Sequence, residues 1–115
     1  MDMSDITIIK ADGIWSVRAG GAVLAESREA LALYEGELPM VVYFPREDIA
    51  MAFLEATDHV TTCPRKGAAV HYTIHTKSGE IENAAWSYEA PLDDVARIAG
   101  HVAFYGSEFV TVEQI

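Results

Sequence analysis

The chain has 115 residues, half of them hydrophobic, with 18 acidic residues against 8 basic ones and a net charge of −10. That length suits one core and is short for two domains, while the apolar fraction excludes disorder as the resting state. A field of this sign repels phosphate backbones and anionic lipid surfaces, so neither nucleic acid nor membrane is an expected partner.

No apolar run approaches the roughly 20 residues of a membrane helix, and the opening "MDMSDITIIK" has neither a basic n-region nor a long apolar h-region. A cytoplasmic protein is expected. Cys63 is the only cysteine, so the chain closes no internal disulfide and has no CxxC pair for redox exchange or a structural zinc.

The elements follow in chain order. "ITIIKADGIWSVRAGGAVLAES" reads as three short strands in a meander, punctuated by Asp12-Gly13 and Gly20-Gly21, pairs that accept the positive φ of tight turns. Residues 31–34 and 40–44 are β-prone runs separated by "EGELP", where Gly36 and Pro39 interrupt regular structure. In "REDIAMAFLEAT" the apolar residues Ile49, Ala52, Phe53 and Ala56 recur at helical spacing, and Glu47 and Asp48 fall in the first turn, which predicts a short helix. "HYTIHTKSGEIENAAWSY" reads as a hairpin turning at Lys77-Ser78-Gly79, with Val70, Tyr72 and Ile74 on one face and Ala84, Trp86 and Tyr88 on one face of the partner. "PLDDVARIAG" predicts a second helix, opened by Pro91 and stopped by Gly100. "HVAFYG" and "FVTVEQ" close the chain as strands. About nine strands and two short helices predict a mainly β, mostly antiparallel curved sheet or small barrel in a single domain.

Four segments, "VVYFPREDI", "TTCPRKGAAVHY", "AAWSYEAP" and "IAGHVAFY", in this order and spacing, resemble the bacterial and fungal family known as domain of unknown function 427. The likeness runs over nearly the whole chain and implies a compact fold similar to the β-tent of methionine sulfoxide reductase B. It implies no assigned activity. The family usually has an aromatic or similar residue between Cys-Pro and Lys-Gly, where this chain has Arg65. A nucleotidyltransferase label has been attached to the family; here the nearest imitation of its paired carboxylates is Glu80-Ile81-Glu82, in a context that reads as a solvated hairpin, and P-loop and GxGxxG patterns are absent.

Candidate site residues come from the "PRED" and "CPRKG" loops and the aromatic positions. Cys63 has Arg65 and Lys66 two and three residues on, cations that stabilise a thiolate; the competing reading is a small buried apolar side chain in a loop shaped by Pro64 and Gly67. Arg46 and Lys66 suit a carboxylate or phosphate if their loops converge, or else an internal ion pair with Asp48 or Glu47. Asp48 is a candidate general base if buried, and a helix-start charge otherwise. Among the aromatics, Tyr72 and Trp86 fit core packing as well as a pocket wall, while the hydroxyls of Tyr43 and Tyr88 are placed to reach a cavity; Tyr105 belongs to the same group.

His71 and His75 share a strand face but stand roughly 13 Å apart at about 3.3 Å per residue, too far to share an ion, and no metal or cofactor is expected. The resulting expectation is Cys63, Lys66 and Asp48 as reactive groups, with Arg46, Tyr43, Tyr72, Trp86 and Tyr88 binding a small molecule, an anion among the candidates, between the two loops. The sequence leaves catalysis open. The alternative is a noncatalytic structural or protein-interaction module in which these residues form an internal network, and edge strands in a domain this size allow a homo-oligomer.

Overall fold

A computed structural model describes residues 5–115. The first four residues, the start of the opening that has neither a basic n-region nor a long apolar h-region, lie outside the described residues. Among the described residues ten strands form three antiparallel sheets. The first contains β1 (Ile6–Lys10), β4 (Leu31–Glu35) and β5 (Val41–Tyr43) in the order β1-β4-β5. The second has β2 (Trp15–Ala19), β3 (Ala22–Ser27) and β10 (Val110–Gln114) in the order β10-β2-β3. The third has β6 (Leu54–Cys63), β7 (Gly67–Thr76), β8 (Gly79–Ser87) and β9 (Val102–Phe104) in sequential order. The mainly β, antiparallel fold expected from the sequence is the one adopted.

Three local expectations are corrected. β2 and β3 pair across Gly20-Gly21, but β1 pairs with β4, Ile8 opposite Leu33, so the first three strands are not a meander. The stretch after Pro45 is not a helix. It makes two 3-10 turns, Arg46–Asp48 and Met51–Phe53, and then enters the ten-residue β6. Its backbone finds partners outside itself: Ala50 N–H donates to Leu24 O, and Ile49 bridges Ala25. From Thr57 onward the β-branched Val60, Thr61 and Thr62 favour extended backbone. Residues 91–100 form a kinked 3-10 segment, Asp93–Ile98, with Val95 at φ −123°, although the stop at Gly100, φ +74°, lies where the sequence puts it.

The hairpin of β7 and β8 forms as expected, but its faces differ from the sequence reading. His71 pairs with Trp86 and Tyr72 with Ala85, so Tyr72 and Trp86 point to opposite sides. The irregularity that resets the register lies between Tyr72 and Ile74, opposite Asn83 at φ +48°. No period-2 count detects such a step.

This alternation divides the interior in two. Phe44 exchanges both backbone hydrogen bonds with Val102, which joins β5 to β9 and makes one layer of the first and third sheets. One face of that layer, carrying Val42, Phe44, Tyr72, Ile74, Ala85 and Phe104, packs with the second sheet around Val17 and Leu24. The other face carries Leu31, Leu33, Tyr43, Ala69, Tyr88 and Ala103 and is covered in part by Val95 and Ile98.

The turn between β2 and β3 sets a steric test. A Cβ on Gly20, φ +56°, would fall 2.4 Å from Thr76 Oγ1 and 2.5 Å from its Cβ, whereas one on Gly21, φ +79°, would meet open space. Gly20→Ala is expected to cost more than Gly21→Ala, which carries only the backbone strain of about 1 kcal/mol. Thermal denaturation of both variants checks the ranking, and equal losses would contradict it.

Candidate functional site

The second face holds a cleft of about 210 Å³ where β4 and β5 meet the third sheet. Strand alternation supplies most of its wall. On β8 and the residue after it, Trp86 and Tyr88 point into it while Ala85 and Ser87 point away; on β5 and the residue after it, Tyr43 points in while Val42 and Phe44 point away. On β4, Leu33 and Glu35 follow Leu31 down the same face. Tyr105, one residue beyond β9, completes the aromatic lining, and Leu38 and Pro39 from the turn after β4 form the rim.

Lys66 reaches the cleft from the turn joining β6 and β7. That turn closes when Lys66 N–H donates to Cys63 O (3.2 Å), and it is pinned from outside by Leu92 N–H donating to Lys66 O (3.0 Å). Gly67 follows at φ +112°, a backbone conformation that side chains with a Cβ rarely adopt. The Lys66 ammonium lies 2.5 Å from Glu35 Oε1, with side-chain exposures of 11% and 16%. This is an internal ion pair, as one reading of the sequence allowed, but its partner is Glu35, not Asp48 or Glu47. Both charges have left water, so the pair persists only because each balances the other.

The rings form a connected set. Trp86 Nε1–H donates to Tyr43 Oη at 3.3 Å, with the two rings edge to face at 85°. Tyr105 packs on Trp86 with centroids 4.2 Å apart. Burial drives the Tyr43 phenol well above its ordinary pKa and pushes Tyr88 up to about 12, with Cys63, Tyr105 and Glu35 adding to the second shift. Burial also raises Tyr105. All three phenols therefore stay protonated at neutral pH and can donate hydrogen bonds.

Behind Tyr105 stands His71, which is 1% exposed. Its ring stacks on Tyr105 at 6.3 Å, its Nε2 is 3.5 Å from Tyr105 Oη, and its buried Nδ1 has no hydrogen-bond partner. His59 meets it edge-on at 4.6 Å. Burial first, then the neighbouring His59, holds the His71 pKa below the usual histidine value.

The other expected residues are not brought to this cleft. Cys63 is half-buried and packs with the cluster behind Tyr43 and Tyr88, without lining the hollow. Arg46 and Tyr72 lie on the opposite face. There Arg46 Nε donates to Gly100 O (2.7 Å), and its Nη2 donates to Tyr72 Oη (2.9 Å), Glu89 Oε1 (2.5 Å) and Ser87 Oγ (3.4 Å). Asp48 sits in a third place, where its Oδ2 accepts from Ser27 Oγ–H at 2.6 Å. The "PRED" and "CPRKG" loops thus build separate networks. The alternation along β8 explains the separation, since Arg46 engages Ser87 and Lys66 shares a cleft with its neighbours Trp86 and Tyr88.

Glu35 and His71 were missed as site residues. Glu35 was detectable by extending the Leu31, Leu33 alternation by one step; the importance of His71 depends on a pairing register that sequence does not specify. A larger hollow of about 610 Å³ near the β7–β8 turn is lined by three glutamates, Ile81 and Phe109, without a comparable set of converging hydrogen-bond donors.

The matching segments span both faces of the fold, and the family model described as "Domain of unknown function (DUF427)" matches residues 7–114. The chain belongs to this family. A comparison with curated proteins finds no match. In this DUF427 domain two of the four recognisable segments supply Tyr43 and Lys66 to the cleft, and the third supplies Trp86 and Tyr88. Among the described residues no helix is long and apolar enough to cross a membrane.

Proposed function

We propose that this domain binds a small, flat organic molecule in the Lys66 cleft, with an aromatic body against Trp86 and Tyr105 and a carbonyl or carboxylate oxygen toward Lys66, Tyr43 and Tyr88. The observation that carries this reading is the convergence of four aromatic rings and one buried ammonium on a single hollow. Lys66 keeps two N–H donors beyond its bond to Glu35, and Trp86 already donates to Tyr43, leaving the Tyr43 proton available. Among the described residues the Tyr88 hydroxyl has no hydrogen-bond partner. Glu35 and the net charge of −10 disfavour a multiply charged anion, so one acceptor oxygen suits the site better than a phosphate.

The reading is of binding, because Asp48, the expected base, lies apart from Cys63 and Lys66. A single thiol, which closes no internal disulfide, fits a reducing compartment such as the cytoplasm. A structural role fits Arg46, whose Nε and Nη2 donate to partners within the chain.

The test is a thermal-shift and Trp-fluorescence screen against coumarin, 4-quinolone, indole-3-carboxylate and quinoline-2-carboxylate. At least one is expected to saturate below millimolar concentration, and Tyr88→Phe to weaken it by about 1 kcal/mol, roughly fivefold, by removing one donor. Failure of all four to bind in both assays would overturn the reading.

A further inference from the structure

We propose that protonation of His71 dismantles the aromatic floor of the cleft and so expels a bound ligand, a regulation that rests on the cleft reading above. A neutral imidazole carries one N–H and one lone pair, and at Nε2 either role is met by the Tyr105 hydroxyl, which can donate or accept. An imidazolium needs an acceptor at both nitrogens. Nδ1 makes no hydrogen bond in a residue that is 1% exposed, and the backbone groups of His59 and Ala69 beside the ring offset less than burial costs.

The surroundings compensate only in part: backbone groups of His59 and Ala69 favour the protonated ring, but burial and the neighbouring His59 side chain outweigh them. From β6 the ring meets the imidazole of His59, which disfavours a positive charge on His71; from beyond β9 it meets the neutral phenol of Tyr105; from β8 its pairing partner is the uncharged Trp86. No carboxylate contacts it. The ring therefore accepts a proton by leaving its place, and Tyr105 then loses the support that holds it against Trp86.

The backbone offers a route. Ala56 pairs with Tyr72 and Val60 with Val70, so residues 57–59 of β6 stand opposite His71 alone. This bulge, held by Thr57 Oγ1–H donating to Asn83 Oδ1 (2.6 Å), covers His71 with the exposed His59. Movement of this short cover exposes the imidazole without unpairing the rest of the sheet.

Linkage fixes the sign. The low folded pKa of His71 follows from its burial, so the neutral, closed form dominates at neutral pH and is lost as pH falls. A ligand that needs the floor loses affinity about tenfold per pH unit below that pKa, and its binding depresses the pKa further.

Two measurements separate this inference from the cleft reading. In a Trp15→Phe background, histidine 15N shifts and Trp86 emission are followed from about pH 8 to about pH 4.5 without ligand. His71 is expected to titrate below the usual histidine value with a change in Trp86 emission at the same midpoint, and His71→Phe should abolish the change. His59→Gln, at an exposed position, should move both midpoints upward together by removing the like-charged neighbour. A His71 titration without a Trp86 response, or a response that ignores either variant, would overturn the proposal. Coumarin, which does not titrate, is then bound across the same range: tenfold loss per unit supports release, and pH-independent binding refutes it. Failure of coumarin at every pH counts against the cleft reading, while the ligand-free titration still decides the switch.

Discussion

Lys66→Met is expected to destabilise the domain by about 3 kcal/mol, the largest loss from any single change considered, because it strands a charge. The Lys66 and Glu35 side chains are 11% and 16% exposed and 2.5 Å apart, so removing the ammonium leaves a carboxylate among Leu33, Tyr43 and Tyr88 with no cation facing it. The attraction itself contributes less than this figure, since both partners were desolvated to form it. That distinction is measurable. Glu35→Leu in the Lys66→Met background should restore much of the stability, because an apolar pair of similar volume has no charge to desolvate. Chemical denaturation of the four proteins closes the cycle, and a double variant as unstable as the sum of the singles would show that packing, not charge, dominates the site.

Arg46→Met is expected to cost about 2 to 3 kcal/mol for a different reason. Arg46 and Glu89 side chains are 35% and 50% exposed, so water screens their ion pair and its share is at most about 1 kcal/mol. The larger part comes from hydrogen bonds that close the interior: Gly100 O loses its 2.7 Å donor, and Tyr72 Oη and the fully buried Ser87 Oγ lose theirs. Glu89→Gln should therefore cost much less than Arg46→Met. A Glu89 variant as damaging as the Arg46 one would mean that the ion pair is the anchor after all. Ligand affinity at the cleft should be unchanged in the folded fraction of the Arg46 variant, because that side chain works on the other face.

The fold was legible wherever one local signal decided the structure. Gly20-Gly21 and Lys77-Ser78-Gly79 mark turns because few residues accept their backbone angles, and Leu31 and Leu33 reveal a face by simple alternation. The helix predicted after Pro45 failed because spacing alone cannot tell an amphipathic turn from a segment whose N–H groups are taken by another sheet, as Ala50's is by Leu24. The candidate site was legible in its residue types and not in their grouping. Tyr43, Lys66, Trp86 and Tyr88 converge, but Tyr72 pairs with Ala85 and so faces away from Trp86, and Arg46 was grouped with Lys66 on the expectation that their loops meet, which they do not. Asp48 was misplaced for a similar reason: proximity in sequence to Arg46 does not survive a 3-10 turn, whose successive side chains diverge.

The division of β8 into two sets of side chains also constrains how the chain can change in length. Deleting one residue between Ala84 and Tyr88 would rotate every later side chain to the wrong side, turning an indole toward Arg46 and a serine into the cleft, so both networks would fail together. An extra residue at Lys77-Ser78 would be absorbed by the turn before either network is reached. Length variation compatible with this architecture is therefore confined to the hairpin tip, and the run from Ala84 to Tyr88 behaves as a fixed ruler shared by both sides of the layer.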